Sequence, residues 1–458
     1  MDALVLKLKA LSEQFAEETA GYRRFLHQHP DLSGNERGTA VFVADKLRSF
    51  GLEPQMLLDD TAVCVLVEGR EPERRCVALR ADMDALPIQE ETGLPFASSQ
   101  LGVMHACGHD AHTAMLLTVA RLLHLTRDEW FGTVKLLFQP SEEQYPGGAI
   151  QLIEAGVLEN PSVSVIIGCH VSPEIACGCI GYKPGPYMAS TDEIHVTLHG
   201  KGGHAALPDT FVNPIGIAAE ALVRLEKEFG KGQTGGNADA CFDGEVAGAL
   251  SVSDDRGAAA EGDGNSVNAN SVVTKGCDNS VNARGIVAEG RALPLVCTFG
   301  RIEALGHTNV VPECAQLQGT LRTFDEARRA VAQGRIAEIF DAVATERHGQ
   351  AEVRIAHGYP VLVNDPALSS RCAGFASSFL GDSKVLSLDY RTTADDFAYF
   401  SHRIPAFFYR LGVQISDHPS RLHTSTFDLN EDVFAFAPAL MAGMAVEVAG
   451  CGGERYAN

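Results

Sequence analysis

The feature that most constrains this chain is the alternation, through its first half, of short apolar β-type runs with helical segments. The apolar runs are Ala62–Glu68, Cys76–Ala81, Val134–Phe138 and Val163–His170. Before them lie an amphipathic N-terminal helix carrying Leu4, Leu8, Leu11, Phe15 and Tyr22, and a second helix over Thr39–Phe50, stopped by Gly51. Between them lie helices over His112–Leu125 and Gly148–Ala155. Strands alternating with helices predict an α/β layer around a mixed, largely parallel sheet. In such a sheet, reactive groups gather where strands end and loops begin.

From about Thr191 the pattern changes. Glu193–Leu198 alternates as a half-exposed strand, and a helix follows over Pro214–Phe229. Strand-like Leu295–Ala304 and Ala315–Thr323, a helix over Asp325–Arg347 and strand-like Ala351–His357 complete a β-α-β-β-α-β unit, an α+β, ferredoxin-like arrangement. The first pattern then resumes with a helix near Ala367–Leu380, apolar runs at Val385–Leu388 and Ala406–Leu411, and a helix over Asp432–Ala449. The expected organisation is a catalytic domain from 1–190 and 361–458, with a second domain, 191–360, inserted into it. A stretch at about 235–291 is rich in Gly, Asn, Ser, Asp and Ala, and nearly repeats itself at Asn265 and Asn279. It lacks the apolar content to bury a core and is expected to be a flexible excursion.

Composition narrows the class. A net charge of −22 repels phosphate backbones, so nucleic acid is not an expected partner. The longest apolar runs are too short to span a bilayer, so no membrane is expected either. The N-terminus lacks the basic start and cleavage signal of a leader, and the 12 scattered cysteines lack the regular spacing of a disulfide framework, so a cytoplasmic address is expected.

The chemistry-bearing residues fall at strand ends. Met104-His-Ala-Cys-Gly-His-Asp-Ala-His112 places Cys107 and His109 either side of a glycine just before a helix, so that thiolate and imidazole can reach one metal ion. Glu142 and Glu143 follow the strand ending at Phe138. Neighbours on an extended segment point opposite ways, so one can bind metal while the other carries protons. Asp82 and Asp84 follow the Cys76–Ala81 run, where a carboxylate can bind metal or orient a ligand histidine. His170 closes its own apolar run, and His423 lies in a loop before the last helix. Each cluster alone has a plain structural reading as a cap, a solvated loop or a core histidine. Their convergence on one layer supports a metal site, and five protein ligands exceed what one tetrahedral ion takes.

The chain resembles the M20 metallopeptidases, in the amidohydrolase branch that includes hippurate hydrolases, N-acyl-amino-acid amidohydrolases and auxin-conjugate hydrolases. The resemblance begins at Arg23–Ser33 and runs through Leu79–Pro87, Met104–His112 and Phe138–Glu143. It continues through Gly185–Ser190, Gly200–Ala206, Asn309–Pro312, Gly319–Phe324 and Asp395–Phe400. It implies a zinc-peptidase-like catalytic domain with a lid and dimerisation domain, and an enzyme cleaving linear amides of N-acyl-L-amino acids. It also implies that Cys107, His109, Glu143, His170 and His423 hold two divalent ions, with Cys107 bridging. The thiolate favours zinc; manganese is the other leading candidate, with nickel and cobalt also compatible. Glu142 is the implied general base and Asp84 the implied orienter of a ligand. His204 is the implied oxyanion donor, delivered into the partner's site of a homodimer or dimer-based oligomer. Asn309 and Arg322 are the implied substrate contacts, Arg322 suiting a carboxylate.

Three departures stand out. Asp395 replaces the glutamate usual in the Glu-Asp-Phe motif, Asp209 replaces a frequent histidine, and the 235–291 stretch interrupts the lid. His105 and His112 acquire no role beyond packing or hydrogen bonding. The alternatives are a metallo-carboxypeptidase or dipeptidase of the same superfamily, a binding protein with a degenerate site, and an amidase using Cys107 as nucleophile.

Overall fold

The computed structural model describes residues 3–230, 287–288, 291–415 and 420–450. The expected flexible excursion at about 235–291 therefore lies almost wholly outside the described residues. The larger sheet has eight strands in the order Gln55–Leu57, Ala62–Glu68, Thr133–Gln139, Cys76–Asp82, Val163–Ala176, Ala406–Gln414, Ile180–Tyr182 and Val385–Ser387. Its four inner strands, Thr133–Gln139 to Ala406–Gln414, are mutually parallel. Antiparallel pairings join Ala62–Glu68 on one side and Ile180–Tyr182 on the other.

The inner strands read as continuous apolar runs because both faces are covered. Val77, Leu79, Leu136, Ile167 and Tyr409 face one core, while Ala78, Leu137, Ile166 and Phe408 face another. The helix His109–Leu125 packs between the first core, the N-terminal helix Ala3–Gln28 and the last helix Ala437–Ala449. Fourteen of its 17 residues are buried, which explains why it is apolar all round.

The strand Cys76–Asp82 has Thr133–Gln139 on one side and Val163–Ala176 on the other, so the chain reverses its direction of travel across the sheet there. That reversal opens a crevice at the carboxyl ends of the strands. The ends of Cys76–Asp82 and Thr133–Gln139, the middle of Val163–Ala176 and the start of His109–Leu125 all deliver side chains to it.

Residues from Asp192 to His357 form a second, antiparallel sheet in the order Leu295–Glu303, Cys314–Thr323, Asp192–His199, Gln350–His357. Helices Pro214–Phe229 and Glu326–Glu346 supply Ile217, Leu225, Ile336 and Phe340 to its own core. The element order is the expected β-α-β-β-α-β. The two chain crossings between the sheets are laced together: Thr191 N donates to Tyr359 O at 3.0 Å and Gly358 N to Thr191 O at 2.7 Å. Arg329 clamps the same spot through Asp192 and the carbonyls of Thr191 and Gly358.

The last helix departs from expectation. Instead of one helix over Asp432–Ala449, a short 3-10 turn, Glu431–Ala435, precedes a helix starting at Ala437. Pro438 explains the break: in a continuous helix its nitrogen would have to donate to Phe434 O, but it carries no N–H and its ring crowds that carbonyl, whereas the first turn of a new helix tolerates it. Among the described residues, no helix is long and apolar enough to cross a membrane.

The N-terminal helix is anchored by buried charge. Arg23 reaches Asp110, Asp428 and Glu431 at 3.1, 2.7 and 2.9 Å. His27 places Nδ1 2.8 Å from Asp110 and Nε2 3.2 Å from Glu90. Burial alone would lower the His27 pKa, but the hydrogen bonds to Asp110 and Glu90 win and raise it to about 9. A histidine with a raised folded pKa stabilises fully below its ordinary value of 6.5 and loses that contribution as pH rises through about 9. Comparing denaturant unfolding of wild type and His27→Ala should therefore give a difference with a pH-dependent part on the order of 3 kcal/mol. That part should vanish above pH about 9; a difference constant with pH would contradict it.

Candidate metal centre

Gly108 sets the geometry of the Cys107–His109 loop. Its φ is +84°, and a Cβ there would fall 2.5 Å from Val171 Cγ2, so both conformation and space demand glycine. The turn sends Cys107 and His109 into the crevice together. Two other contributors also sit in left-handed backbone: Ser141, just before Glu142, has φ +55°, and His423 has φ +60°. The His423 N–H donates to Ala106 O at 2.7 Å, tying its loop to the Cys107 segment.

Hydrogen bonds fix which nitrogen His109 and His170 present. His109 Nδ1 faces the Asp84 carbonyl at 2.9 Å and Asp84 Oδ1 at 3.2 Å, both acceptors, so Nδ1 carries the proton and Nε2 presents a lone pair. His170 Nδ1 donates to Val171 O at 2.7 Å, leaving its Nε2 3.3 Å from Cys107 Sγ. His423 Nε2 lies 3.3 Å from the same sulfur and 3.1 Å from Glu143 Oε1. Glu143 Oε1 is 3.9 Å from His109 Nε2. Two three-residue groups thus share one sulfur: Cys107, His109 and His170, and Cys107, Glu143 and His423.

These donors fit a pair of divalent cations. His109 Nε2 is buried without a hydrogen-bond partner, an expense a bound cation would remove. Burial, then the carboxylates of Glu143 and Glu142, push the Cys107 thiol well above its ordinary pKa; a coordinated cation supplies the opposing charge. His112 approaches Asp82 as well, but it offers no free nitrogen. Its Nδ1 is taken by Asp82 and its Nε2 accepts from Val171 N at 2.9 Å. His105 is buried with both nitrogens unpartnered, and no contact joins it to the donors.

Glu142 stands beside this cluster, its Oε2 4.0 Å from His109 Nε2. Burial, then the charges of Asp395, Glu143, Asp396 and Asp84, hold its carboxyl well above the usual range. Behind it runs a buried network that the sequence did not reveal. Arg80 reaches Asp82 and Asp396, with Asp395 looser at 3.5 Å, and its Nε donates to Gln139 at 2.9 Å. The loop bearing Glu142 is gripped from two sides. Glu36 accepts from Ser141 N at 2.7 Å, and Tyr359 OH donates to Glu142 O at 2.6 Å. Glu36 and Tyr359 carry no local motif; the period-2 spacing of Arg80, Asp82 and Asp84 was the one available signal for Arg80.

The remaining expected site residues are not joined to the cluster by any hydrogen bond or ion pair. His204 and Asn309 are exposed on a two-stranded ribbon, where Ala205 N donates to Asn309 O at 3.0 Å. Arg322, on the second sheet, donates to Thr392 O at 3.4 Å.

A largely parallel sheet with donors of this kind at its switch point forms a candidate divalent-metal centre. The chain belongs to peptidase family M20/M25/M40, whose model matches residues 78–447. It is 34% identical over 432 residues to an N-acetylcysteine deacetylase of Bacillus subtilis, covering 93% of this chain and 95% of that one. It is 34% identical over 359 residues to an N-acyl-L-amino acid amidohydrolase of Geobacillus stearothermophilus, covering 78% and 81%. It also resembles the crystal structure of the Bacillus subtilis YXEP protein, a dinuclear metal binding peptidase of the M20 family. That match has TM-score 0.72 and 29% identity, over 95% and 98% of the two chains. The protein is an amidohydrolase of this family.

Asp84 gives the centre its rigidity. Its Oδ2 accepts from Ser33 Oγ at 2.6 Å and Glu143 N at 2.9 Å, while Oδ1 faces His109. Asp84→Asn keeps the volume but removes the charge that fixes His109. Competition with a chromogenic chelator should show zinc affinity reduced about 10- to 100-fold; unchanged affinity would remove Asp84 from the centre.

Proposed function

We propose that the chain hydrolyses the amide bond of N-acyl-L-amino acids, with Glu142 as general base. The observation carrying this reading is the convergence of donors on Cys107 Sγ, with Glu142 beside them and, among the described residues, free of any hydrogen bond through its side chain. The similarity to a deacetylase and an amidohydrolase acting on N-acyl amino acids supports the substrate class. Two divalent cations, zinc or manganese foremost and nickel or cobalt compatible, held by Cys107 with His109 and His170 and by Cys107 with Glu143 and His423, would polarise the carbonyl and lower the pKa of water.

The chain's own groups divide the remaining work. A carboxylate with raised proton affinity suits Glu142 to take a proton from water and return it to the leaving amine. Asp84 keeps His109 in one tautomer. Arg322 offers a planar fork to the substrate's carboxylate. His204, exposed on the second sheet's ribbon, fits a donor that stabilises the oxyanion of a neighbouring subunit. In this reading residues 191–360 are a lid and dimerisation domain set into a catalytic domain of 1–190 and 361–458, and the working unit is a homodimer.

Four measurements test the reading. Metal-loaded protein should release amino acid from a panel of acetyl-, benzoyl- and long-acyl-amino acids; release from none, or only from peptides with free N-termini, would overturn it. Glu142→Ala should lower kcat roughly 10²- to 10⁴-fold with metal content unchanged. A Cys107 nucleophile is rejected if chelation abolishes turnover and added metal restores it. For the shared site, Glu142→Ala and His204→Ala should each be impaired alone, yet mixing them with subunit exchange should recover activity, because one site then holds both native groups. Absence of recovery would place His204 outside the partner's site.

A further inference from the structure

In a chain of net charge −22, a buried arginine ordinarily finds a carboxylate. Arg410 does not. It is 3% exposed and forms no ion pair among the described residues. Its Nη2 touches Met188 Sδ at 3.2 Å, its guanidinium lies 5.4 Å from the Phe408 ring centroid, and its Nε is buried with no hydrogen-bond partner. A guanidinium held this way is costly unless an anion answers it.

Arg410 lies close to the reaction centre. It is the register partner of His170 on the adjacent parallel strand. Tyr409 and Leu411 face the core beneath the helix His109–Leu125, so Arg410, like His170, leaves the opposite face of the sheet. After burial, the Arg410 charge is the largest influence depressing the His170 imidazole. Arg410 is buried to about the same extent as the residues of the centre, at 3% exposed against 5% for His170 and Cys107 and 6% for Glu142.

Further arginines close on the same place. Arg391 bridges Met188 through the backbone, and burial, then the Arg410 charge, hold it below the ordinary arginine value. Arg322 bonds the carbonyl of the next residue, Thr392. None of the three forms an ion pair among the described residues. Glu174 feels both Arg391 and Arg410, but its Oε2 accepts from Ser172 Oγ at 2.6 Å and it pairs with neither. Asp192, which acts on Arg322 from a distance, is already taken by Arg329. Arg391 and Arg410 therefore share one carboxylate, and a positive charge is left over before Arg322 is counted.

We propose that Arg410, flanked by Arg391, is a carboxylate-binding subsite beside the metal centre. The substrate then carries a second carboxylate besides the one assigned to Arg322. The substrate class is an N-acyl amino acid with an extra acid, either on the amino-acid side chain or at the far end of the acyl group. This rests on the N-acyl-amino-acid reading above and sharpens it. An arginine fork discriminates a carboxylate from its amide because the amide leaves the buried guanidinium unanswered.

The test uses metal-loaded, full-length protein and isosteric pairs differing by one charge: N-acetyl-L-glutamate against N-acetyl-L-glutamine, and N-succinyl-L-alanine against its succinamoyl counterpart. One pair should favour the acid by about tenfold or more in kcat/KM, and which pair does so locates the second carboxylate. Arg410→Met should bring that ratio to near one, and Arg391→Met should lower it, with melting temperature and metal content reporting on folding. In a turnover-independent arm, the acid of at least one of the two pairs should raise the melting temperature of the Glu142→Gln protein more than its amide does. Adding Arg410→Met should erase that difference. Equal kcat/KM within both pairs, or a preference that survives both arginine substitutions, overturns the subsite while leaving the amidohydrolase reading intact. If no N-acyl compound is cleaved, that reading falls, and the melting-temperature arm alone decides the subsite.

Discussion

Asp84 Oδ2 accepts hydrogen bonds from Ser33 Oγ and the backbone N–H of Glu143, while Oδ1 meets Nδ1 of His109. Burial would push this carboxyl up, but the His109 bond and charge, with Ser33 and Glu143, outweigh it and hold Asp84 below its ordinary value. Three separate parts of the chain are positioned by that one anion: the loop after the N-terminal helix, the loop after Thr133–Gln139, and the start of the helix His109–Leu125. The helix start also needs the left-handed Gly108, against which Val171 packs too closely for any Cβ. The sheet places the parts near each other, and Asp84 with Gly108 turns proximity into a fixed arrangement of donors.

The surrounding charge explains why such an arrangement calls for cations. Asp82, Asp84, Glu142, Asp395 and Asp396 are all buried around the crevice, with Glu143 at its edge, and Arg80 is the guanidinium that answers several of them. Asp395 is one methylene shorter than the glutamate of the family motif. Its Oδ1 caps Phe397 N at 2.9 Å and its Oδ2 is left buried and unpartnered. A crowd of carboxylates raises the proton affinity of Glu142, and bound cations would draw it back toward the range in which a carboxylate can both take and return a proton. On the other side of His170 the balance reverses, with Arg391 and Arg410 short of carboxylates. One end of the crevice thus suits cations and the other an anion.

What could be read from the sequence follows from where each signal originates. The inner strands were readable because burial on both faces makes them continuous apolar runs, and Pro214–Phe229 because Asn213 caps it and Gly230 ends it. The last helix was misread because its apolar content continues through Phe436 while Pro438 breaks the backbone. Cys107, His109, Glu142 and Glu143 announce themselves because the chemistry needs them close in sequence. His423 does not, since its place beside Cys107 depends on a backbone bond to Ala106 that no local pattern encodes. Glu36, Tyr359 and Arg410 were invisible for the same reason: each acts through a partner more than 50 residues away in the chain.

The proposed centre requires one thiolate shared by two cations. Titrating metal-free protein with cobalt(II), and following the near-ultraviolet thiolate-to-cobalt charge-transfer band, tests that claim most directly. Two equivalents should bind per chain, with the band responding to both, and Cys107→Ser should lose the band. Saturation at a single equivalent, or a band that persists in Cys107→Ser, would contradict it.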